Sequence, residues 1–218
     1  MSQADGLIVI IDYGSGNLRS AEKAFARQAK GRSVLVTGEP DEVRRAAHIV
    51  LPGVGAFGDC AQGLRAIGGM VEALNEAVME KAKPFLGICV GMQLMCRHGL
   101  ERAAPESPHD GLGWFDGQVR ALNVAPALKV PHMGWNEIAI CQDHPVIAPL
   151  DGEDVYFVHG YGAAMAAAAQ GDIAATTDYG GTVIAALARD NMIGVQFHPE
   201  KSQAAGLSLI ERFLEWRP

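Results

Sequence analysis

An apolar run that ends at a cysteine between two glycines constrains this chain most. In the stretch Phe-Leu-Gly-Ile-Cys-Val-Gly, Cys89 is flanked at the second positions by Gly87 and Gly91. A tight strand-to-helix turn that exposes a reactive side chain needs small residues at both of these positions. We therefore predict that a strand, Pro84–Ile88, leads through a turn at Cys89 into a helix, Met92–Arg97.

Cys89 is a candidate nucleophile. At the start of a helix, unpaired backbone N–H groups and the positive end of the helix dipole favour a thiolate over a thiol. The pattern by itself also fits a buried structural cysteine, because free cysteines are among the most buried residue types. Evidence from elsewhere in the chain is needed to choose.

A second apolar run leads directly to a histidine. His198 follows Met-Ile-Gly-Val-Gln-Phe, and Pro199 favours extended backbone, so His198 and Glu200 should emerge together at the end of a strand. With a cysteine they would form a triad, in which the histidine transfers the thiol proton and the carboxylate orients the imidazole. The alternative is a strand-end histidine beside a surface glutamate.

Together, the stretches Phe85–Gln93 and Gln196–Glu200 resemble the glutaminase signatures of the class I, or triad, glutamine amidotransferases. The resemblance implies that Cys89, His198 and Glu200 are catalytic. Cys89 would attack the side-chain amide of L-glutamine, and the products would be glutamate and ammonia. No metal or organic cofactor is expected.

Composition narrows the class of protein. The 218 residues are 49% hydrophobic, which predicts a globular chain that forms one domain, residues 1–218. The net charge of −7 argues against a basic nucleic-acid-binding face. The four cysteines and seven histidines do not cluster at metal-ligand spacing. No apolar run approaches the ~18 residues of a membrane span, and Met1 to Gly6 lacks a basic start, so we expect a cytoplasmic protein.

Alternating strand and helix patterns predict an α/β fold with a parallel sheet and helices on both faces. Asn17 is the expected cap of the first helix. The predicted strands are Leu7–Ile11, Ser33–Thr37, His48–Leu51, Ile173–Thr177, Val183–Arg189 and Met192–Phe197, the last three joined by hairpin turns. The predicted helices follow Asn17, span Asp41–Ala47 and Asp59–Lys81 with a break at Gly68, and end the chain around Leu207–Leu214.

The resemblance implies the same architecture in more detail. The fold it implies is class I glutamine amidotransferase-like (flavodoxin-like), with a central mixed, mostly parallel sheet flanked by helices and with additional antiparallel strands. Between these elements, Pro105–Gly113 is expected to be a polar loop and Gly117–Ala121 an extended segment. The alanine-rich residues 163–169 are expected to form a loop or a partial helix.

The loop Pro-Gly-Val-Gly after the third strand should lie near Cys89, because ligands of such sheets bind beyond the carboxyl ends of the strands. A plain turn is one interpretation. The resemblance favours an oxyanion hole formed by Gly53 and Val54, with the N–H of Val90 as a further donor.

The resemblance also implies a glutamine-binding set. Gln93 would hold the amino-acid end of glutamine, and its alternative is an exposed helix residue. The other members of the set are Gly55, His159, Gly160 and Tyr161. Related subunits are expected to carry a serine where this chain has Gly160 and an aromatic residue at Gly162, so a hydroxyl contact is lost here.

The segment Pro-His-Met-Gly-Trp-Asn places large side chains in a Pro- and Gly-bounded loop. Such side chains suit a partner interface, although they could also pack onto the core. The predicted interface residues are Pro131, His132, Met133, Trp135 and Asn136.

With Asp12–Asn17 and Pro52–Gly55, this segment is similar to the glutaminase subunits of imidazole glycerol phosphate synthase. The resemblance implies a heterodimer with a (β/α)₈ cyclase subunit, which uses the ammonia to make imidazole glycerol phosphate and an aminoimidazole carboxamide ribotide in histidine biosynthesis. Two alternatives remain open: a glutaminase of another class I pathway, and an interaction subunit with an idle triad.

Overall fold

The computed structural model describes residues 6–104, 106–126 and 128–218. The expectation for Met1 to Gly6 therefore falls, apart from Gly6, outside the described residues, and so does the expectation for Pro105. Within the described ranges, no helix is both long enough and apolar enough to cross a membrane.

Strands and helices alternate along the first half of the chain, whereas strands dominate the second half. The strands are β1 (Ile8–Ile11), β2 (Val34–Thr37), β3 (His48–Gly53), β4 (Phe85–Cys89), β5 (Cys96–Ala104), β6 (Ser107–Asp110), β7 (Phe115–Ala121), β8 (His132–Glu137), β9 (Ala139–Ile140), β10 (Asp154–His159), β11 (Tyr161–Met165), β12 (Ile173–Asp178), β13 (Thr182–Arg189) and β14 (Met192–Val195). The α-helices are α1 (Leu18–Gln28), α2 (Pro40–Arg45), α3 (Phe57–Ala66), α4 (Met70–Leu74), α5 (Val90–Leu94) and α6 (Gln203–Glu215). Helix α4 continues as a π-helical turn, Asn75–Glu80.

The central sheet has eight strands in the order β2-β1-β3-β4-β14-β13-β12-β9. Its first five strands are parallel, and β13, β12 and β9 extend it in antiparallel fashion. Every residue of β1, β3, β4 and β14 is buried, as expected of strands covered on both faces. The predicted mixed, mostly parallel sheet is confirmed, with hairpins at residues 179–181 and 190–191.

Two smaller sheets carry the additional strands, in the orders β11-β7-β5-β6 and β10-β8. Their pairings are antiparallel except that of β5 with β7, which is parallel. Two loop predictions were wrong here. Ser107–Asp110 forms β6 because its backbone pairs with β5, and Tyr161–Met165 forms β11 because it pairs with β7. The rest of the alanine-rich stretch forms short 3₁₀ turns, Ala167–Asp172. Gly117–Ala121 is extended, as predicted, within β7.

The segment predicted to be an interface loop is also a strand. His132–Glu137 forms β8, which pairs antiparallel with β10 so that Gly134 lies opposite Phe157. A strand exposes alternate side chains to opposite sides, so this segment has one inner and one outer face.

Two local predictions at helix starts also need correction. The helix after Cys89 is Val90–Leu94 and not Met92–Arg97, because Cys96 already pairs with Phe115 in the second sheet. Asn17 makes no side-chain capping bond; its backbone carbonyl instead accepts from the N–H groups of Ser20 and Ala21.

Candidate active site

Cys89 lies on a sharp turn between β4 and α5, with φ +54° and ψ −111°. A Cβ atom at Gly91 would lie 1.8 Å from the carbonyl oxygen of Leu51, and one at Gly87 would lie 2.8 Å from the carbonyl oxygen of Gly91. The strand-to-helix turn therefore requires glycine at both flanking positions, as the sequence predicted. A non-glycine residue held at positive φ is strained, and such strain is concentrated at functional sites.

His198 reaches the same place from the adjacent strand. Strands β4 and β14 are parallel, with Ile88 opposite Val195, so the chain after β14 emerges beside the cysteine turn. His198 Nδ1 lies 2.9 Å from Glu200 Oε1, and both side chains are buried. Glu200 is thus an internal partner of the histidine and not a surface carboxylate.

The charge state of His198 follows from its surroundings. Burial acts to lower the pKa of His198, but the neighbouring Cys89 sulfur and Glu200 carboxylate outweigh burial and raise the pKa to about 9. Within the described residues, Nε2 makes no hydrogen bond to a protein atom. The histidine is therefore a cation at neutral pH, with Glu200 orienting it from behind.

A serine that sequence reasoning missed anchors the backbone of this histidine. Ser202 Oγ donates to the His198 carbonyl at 2.7 Å and accepts from Tyr156 N–H at 2.9 Å. The His198 N–H in turn donates to the Tyr156 carbonyl at 2.9 Å. No sequence signal marks this contact, because Tyr156 and Ser202 are distant in the chain.

Cys89 and His198 share a pocket of about 240 Å³. Nine predicted residues line it: Cys89, Val90, Gln93, His198, Val54, Gly55, His159, Gly160 and Tyr161. Sequence reasoning missed Glu101, Val158 and Lys201, which also line the pocket.

Gln93 and His159 are tied into the protein at this wall. The amide nitrogen of Gln93 donates to the Tyr161 carbonyl at 2.9 Å and to Gln196 Oε1 at 3.0 Å, and the side chain is buried, not exposed. His159 Nδ1 lies 2.9 Å from the same carbonyl, and its Nε2 lies 3.2 Å from His132 Nδ1. Because a carbonyl only accepts, His159 carries its proton on Nδ1. Burial lowers the pKa of His159 to about 4, so it is neutral.

The glycines that depart from the expected pattern have structural surroundings of their own. The Gly160 carbonyl accepts from Leu122 N–H at 3.0 Å. Gly162 lies in β11 opposite Arg120, where a Cβ would approach Leu122 at 3.2 Å. Gly160 therefore joins the pocket wall to the residue that follows β7, and Gly162 pairs within the sheet that contains β11 and β7.

The loop after β3 lies beside the nucleophile, as predicted. Gly53 pairs with Cys89 across β3 and β4, and a Cβ there would lie 2.7 Å from the Tyr13 hydroxyl. Val54 is hydrogen-bonded to Ser15. The Ser15 Oγ donates to the Val54 carbonyl at 2.5 Å, and the Val54 backbone nitrogen donates to Ser15 Oγ at 3.3 Å. In this conformation the Val54 N–H is directed at Ser15.

The outer face of β8 and the adjoining turn expose apolar side chains. Met133 is 61% exposed, Trp135 47% and Val130 51%, and Pro131 is exposed beside them. His132 points inward between Phe157 and Tyr179, at ring-centroid distances of 4.6 and 3.9 Å. Asn136 is half-buried and donates to the Asp178 carbonyl at 2.8 Å. Of the predicted interface residues, His132 therefore lies inside the protein.

Comparison with known proteins identifies the family of this chain. The family model described as glutamine amidotransferase class-I matches residues 9–216. The chain is 52% identical to the imidazole glycerol phosphate synthase subunit HisH of Brucella suis biovar 1, and 51% identical to that of Rhodopseudomonas palustris. Each alignment covers 97% of this chain and 99% of the relative. The chain belongs to the HisH family of class I glutamine amidotransferases.

The fold of this HisH-family chain is shared with more distant proteins. The structure of PurLQS from Thermotoga maritima aligns with a TM-score of 0.72 at 19% identity, over 97% of this chain and 98% of that chain. The predicted class I glutamine amidotransferase-like fold is thus confirmed. Among residues 6–104, 106–126 and 128–218, no group of three or more His, Cys, Asp or Glu side chains is placed to hold a metal ion.

Proposed function

We propose that this chain hydrolyses L-glutamine to glutamate and ammonia as the glutaminase subunit of imidazole glycerol phosphate synthase. The observation that carries the proposal is the buried His198–Glu200 pair, whose histidine shares one pocket with Cys89 on its strained turn. A thiolate beside an imidazolium is the reactive pair of a thiol amidohydrolase.

Cys89 begins the reaction. Its thiolate attacks the side-chain amide carbon of glutamine, and the carbonyl electrons move onto oxygen as a tetrahedral oxyanion. His198 then gives its Nε2 proton to the leaving nitrogen, and ammonia departs from a γ-glutamyl thioester. Neutral His198 removes a proton from water, which attacks the thioester and releases glutamate and the thiolate.

Backbone N–H groups would bind the oxyanion. Val90 N–H lies in the first turn of α5, directly after the nucleophile, and Gly53 lies opposite Cys89. Val54 N–H could join them only after leaving the Ser15 hydroxyl.

The amino-acid end of glutamine would bind beside Gln93 in the pocket. The amide nitrogen of Gln93 is occupied by Tyr161 and Gln196, so its oxygen is the atom available to accept from the substrate ammonium. Gly55, Gly160 and Tyr161 supply the adjoining backbone. Both ring nitrogens of His159 bond within the protein, so His159 would act by holding the Tyr161 carbonyl in place.

The partner would be a cyclase subunit that receives the ammonia. The exposed side chains of Val130, Met133 and Trp135 suit such an interface. Val130 lies within 3.5 Å of the Cβ position of Gly160, on the pocket wall. That residues 1–218 form one domain and act in the cytoplasm also stays a prediction.

The test is glutamate release from glutamine by the chain alone, and by the chain mixed with a histidine-pathway cyclase and its ribulosyl-phosphate ligand. Turnover that requires or increases with the loaded cyclase supports the proposal. No turnover in either mixture would favour an interaction subunit with an idle triad. Turnover that responds only to a synthase of another class I pathway would assign the chain to that pathway.

A further inference from the structure

The nucleophile touches a second glutamine that has no part in the triad. Gln196 directly follows β14, is 0% exposed, and places its amide nitrogen 3.7 Å from Cys89 Sγ. We propose that Gln196 stabilises the Cys89 thiolate by donating an N–H···S hydrogen bond, and that Gln93 fixes Gln196 in the donating orientation. The inference rests on the proposed function, since it concerns the same nucleophile.

A backbone carbonyl determines which way both amides face. The Tyr161 carbonyl only accepts, so the Gln93 atom that lies 2.9 Å from it must be the amide nitrogen. This nitrogen has a second hydrogen, which faces the Gln196 side chain at 3.0 Å, so the facing atom of Gln196 must be its oxygen. The amide nitrogen of Gln196 is then the atom turned toward Cys89.

The contact favours one charge state of the sulfur. A neutral thiol is a weak acceptor, whereas a thiolate accepts a charge-assisted bond. A separation of 3.7 Å is within the range for N–H donors to sulfur, whose radius exceeds that of oxygen. Because Gln196 is fully buried, water does not compete for its N–H group.

Other ionisable groups near the sulfur stay in place when Gln196 is replaced, so the effect of the amide can be isolated. They are His198 with Glu200 after β14, Tyr13 between β1 and α1, Cys60 of α3, and Glu101, His159 and Lys201 on the pocket wall.

The test is the pH dependence of Cys89 alkylation by iodoacetamide, followed by mass spectrometry in the full-length chain. A Cys141→Ser background removes the exposed cysteine, whereas Cys60 and Cys96 are buried. Gln196→Met keeps the side-chain volume without the donor. Gln196→Glu keeps the shape and can still accept from Gln93, but it turns a carboxylate toward the sulfur. Gln142→Met, at a half-buried glutamine that donates to the Gly171 and Ala188 carbonyls, is the control.

We expect the midpoint of the alkylation profile to rise by about one pH unit in Gln196→Met and by more in Gln196→Glu, with the control unchanged. An unchanged midpoint in Gln196→Met would overturn the inference whatever the result in Gln196→Glu, because a carboxylate beside the sulfur raises the midpoint by repulsion alone. If the methionine variant does not fold, an unchanged midpoint in Gln196→Glu would overturn it. Alkylation needs neither glutamine nor a partner. Its failure is therefore distinct from failure of the proposed function, which would appear as absent glutamine turnover in the unaltered chain.

Discussion

The cysteine turn and strand β8 differ in how completely their side chains are buried. Every residue from Phe85 to Cys96 is buried, and backbone atoms lie against the turn at Gly87 and Gly91. Strand β8 buries His132 on one face and exposes Met133 and Trp135 on the other. The comparison teaches that close backbone packing holds the turn, whereas the outer face of β8 leaves large apolar side chains exposed.

The largest effect is expected at the glycine that allows this turn. In Gly91→Ala the new Cβ meets the Leu51 carbonyl at 1.8 Å, so β3 and α5 must separate. We expect a loss of at least about 4 kcal/mol in the free energy of unfolding, or no folded protein. Urea denaturation measures it. Gly171→Ala, where no heavy atom lies within 4 Å of the Cβ position, is the control and should fold normally. Equal stability of the two variants would contradict the packing described for the turn.

Next in size is the loss of the carboxylate that orients His198. In Glu200→Gln we expect kcat for glutamine hydrolysis to fall roughly 10²- to 10⁴-fold while the fold persists. The pH profile adds a second readout. Since the pKa of His198 is about 9, activity should decline as the pH rises through about 9. Glu200 is one of the groups that raise this pKa, so its removal should move the decline to lower pH. If activity declined at the same pH in Glu200→Gln and in the unaltered chain, the result would contradict the role of Glu200 in raising the pKa of His198.

Substitutions on the outer face of β8 should change partner binding more than the stability of the fold. Met133→Ala and Trp135→Ala are expected to weaken binding of the cyclase by about 2 kcal/mol each, because large exposed apolar side chains dominate interfaces. The free energy of unfolding should change by only about 0.5 kcal/mol. Calorimetric titration and urea denaturation measure the two quantities. Met79→Ala removes a similarly exposed methionine from the turn after α4 and should leave binding unchanged. Unaltered binding in both β8 variants would move the partner to another surface.

The smallest effect concerns the contact that joins the two regions. Ser202 bridges the His198 carbonyl and the N–H of Tyr156 in β10, the strand paired with β8. Ser202→Ala leaves the Tyr156 N–H without its acceptor, which should cost about 1–2 kcal/mol of stability. Ser208→Ala, at a half-buried serine of α6 that accepts from Arg212 at 3.4 Å, is the control. A Ser202 variant as stable as the control would show that water replaces the bridge.

The same contrast explains what the sequence could predict. The turn at Cys89 depends on residues within a few positions of one another, so Gly87 and Gly91 reveal it directly. The parallel strands are continuous apolar runs, so the sequence predicted them equally well. The rule that ligands bind at the carboxyl edge of parallel sheets placed the loop after β3 near Cys89, whereas the family resemblance joined Cys89 with His198.

The additional strands could not be found in this way, because their pairing partners are remote. Strand β6 is polar and is stabilised by its backbone hydrogen bonds to β5. Strand β8 follows Pro131 and contains Gly134, and both residue types are typical of loops. The alanines of β11 favour helix intrinsically, yet β7 provides their hydrogen bonds. The contact of Gln196 with Cys89 likewise joins residues that only the folded sheet brings together.

The most direct test of the account is Cys89→Ala assayed in the complex with the cyclase, with glutamine and with ammonium as alternative nitrogen donors. Alanine fits the turn without new contacts, so the complex should form. The account predicts that glutamine-dependent synthesis is lost, while ammonium-dependent synthesis proceeds at the rate of the unaltered complex. Retained glutamine-dependent synthesis would contradict the role of Cys89 as the nucleophile.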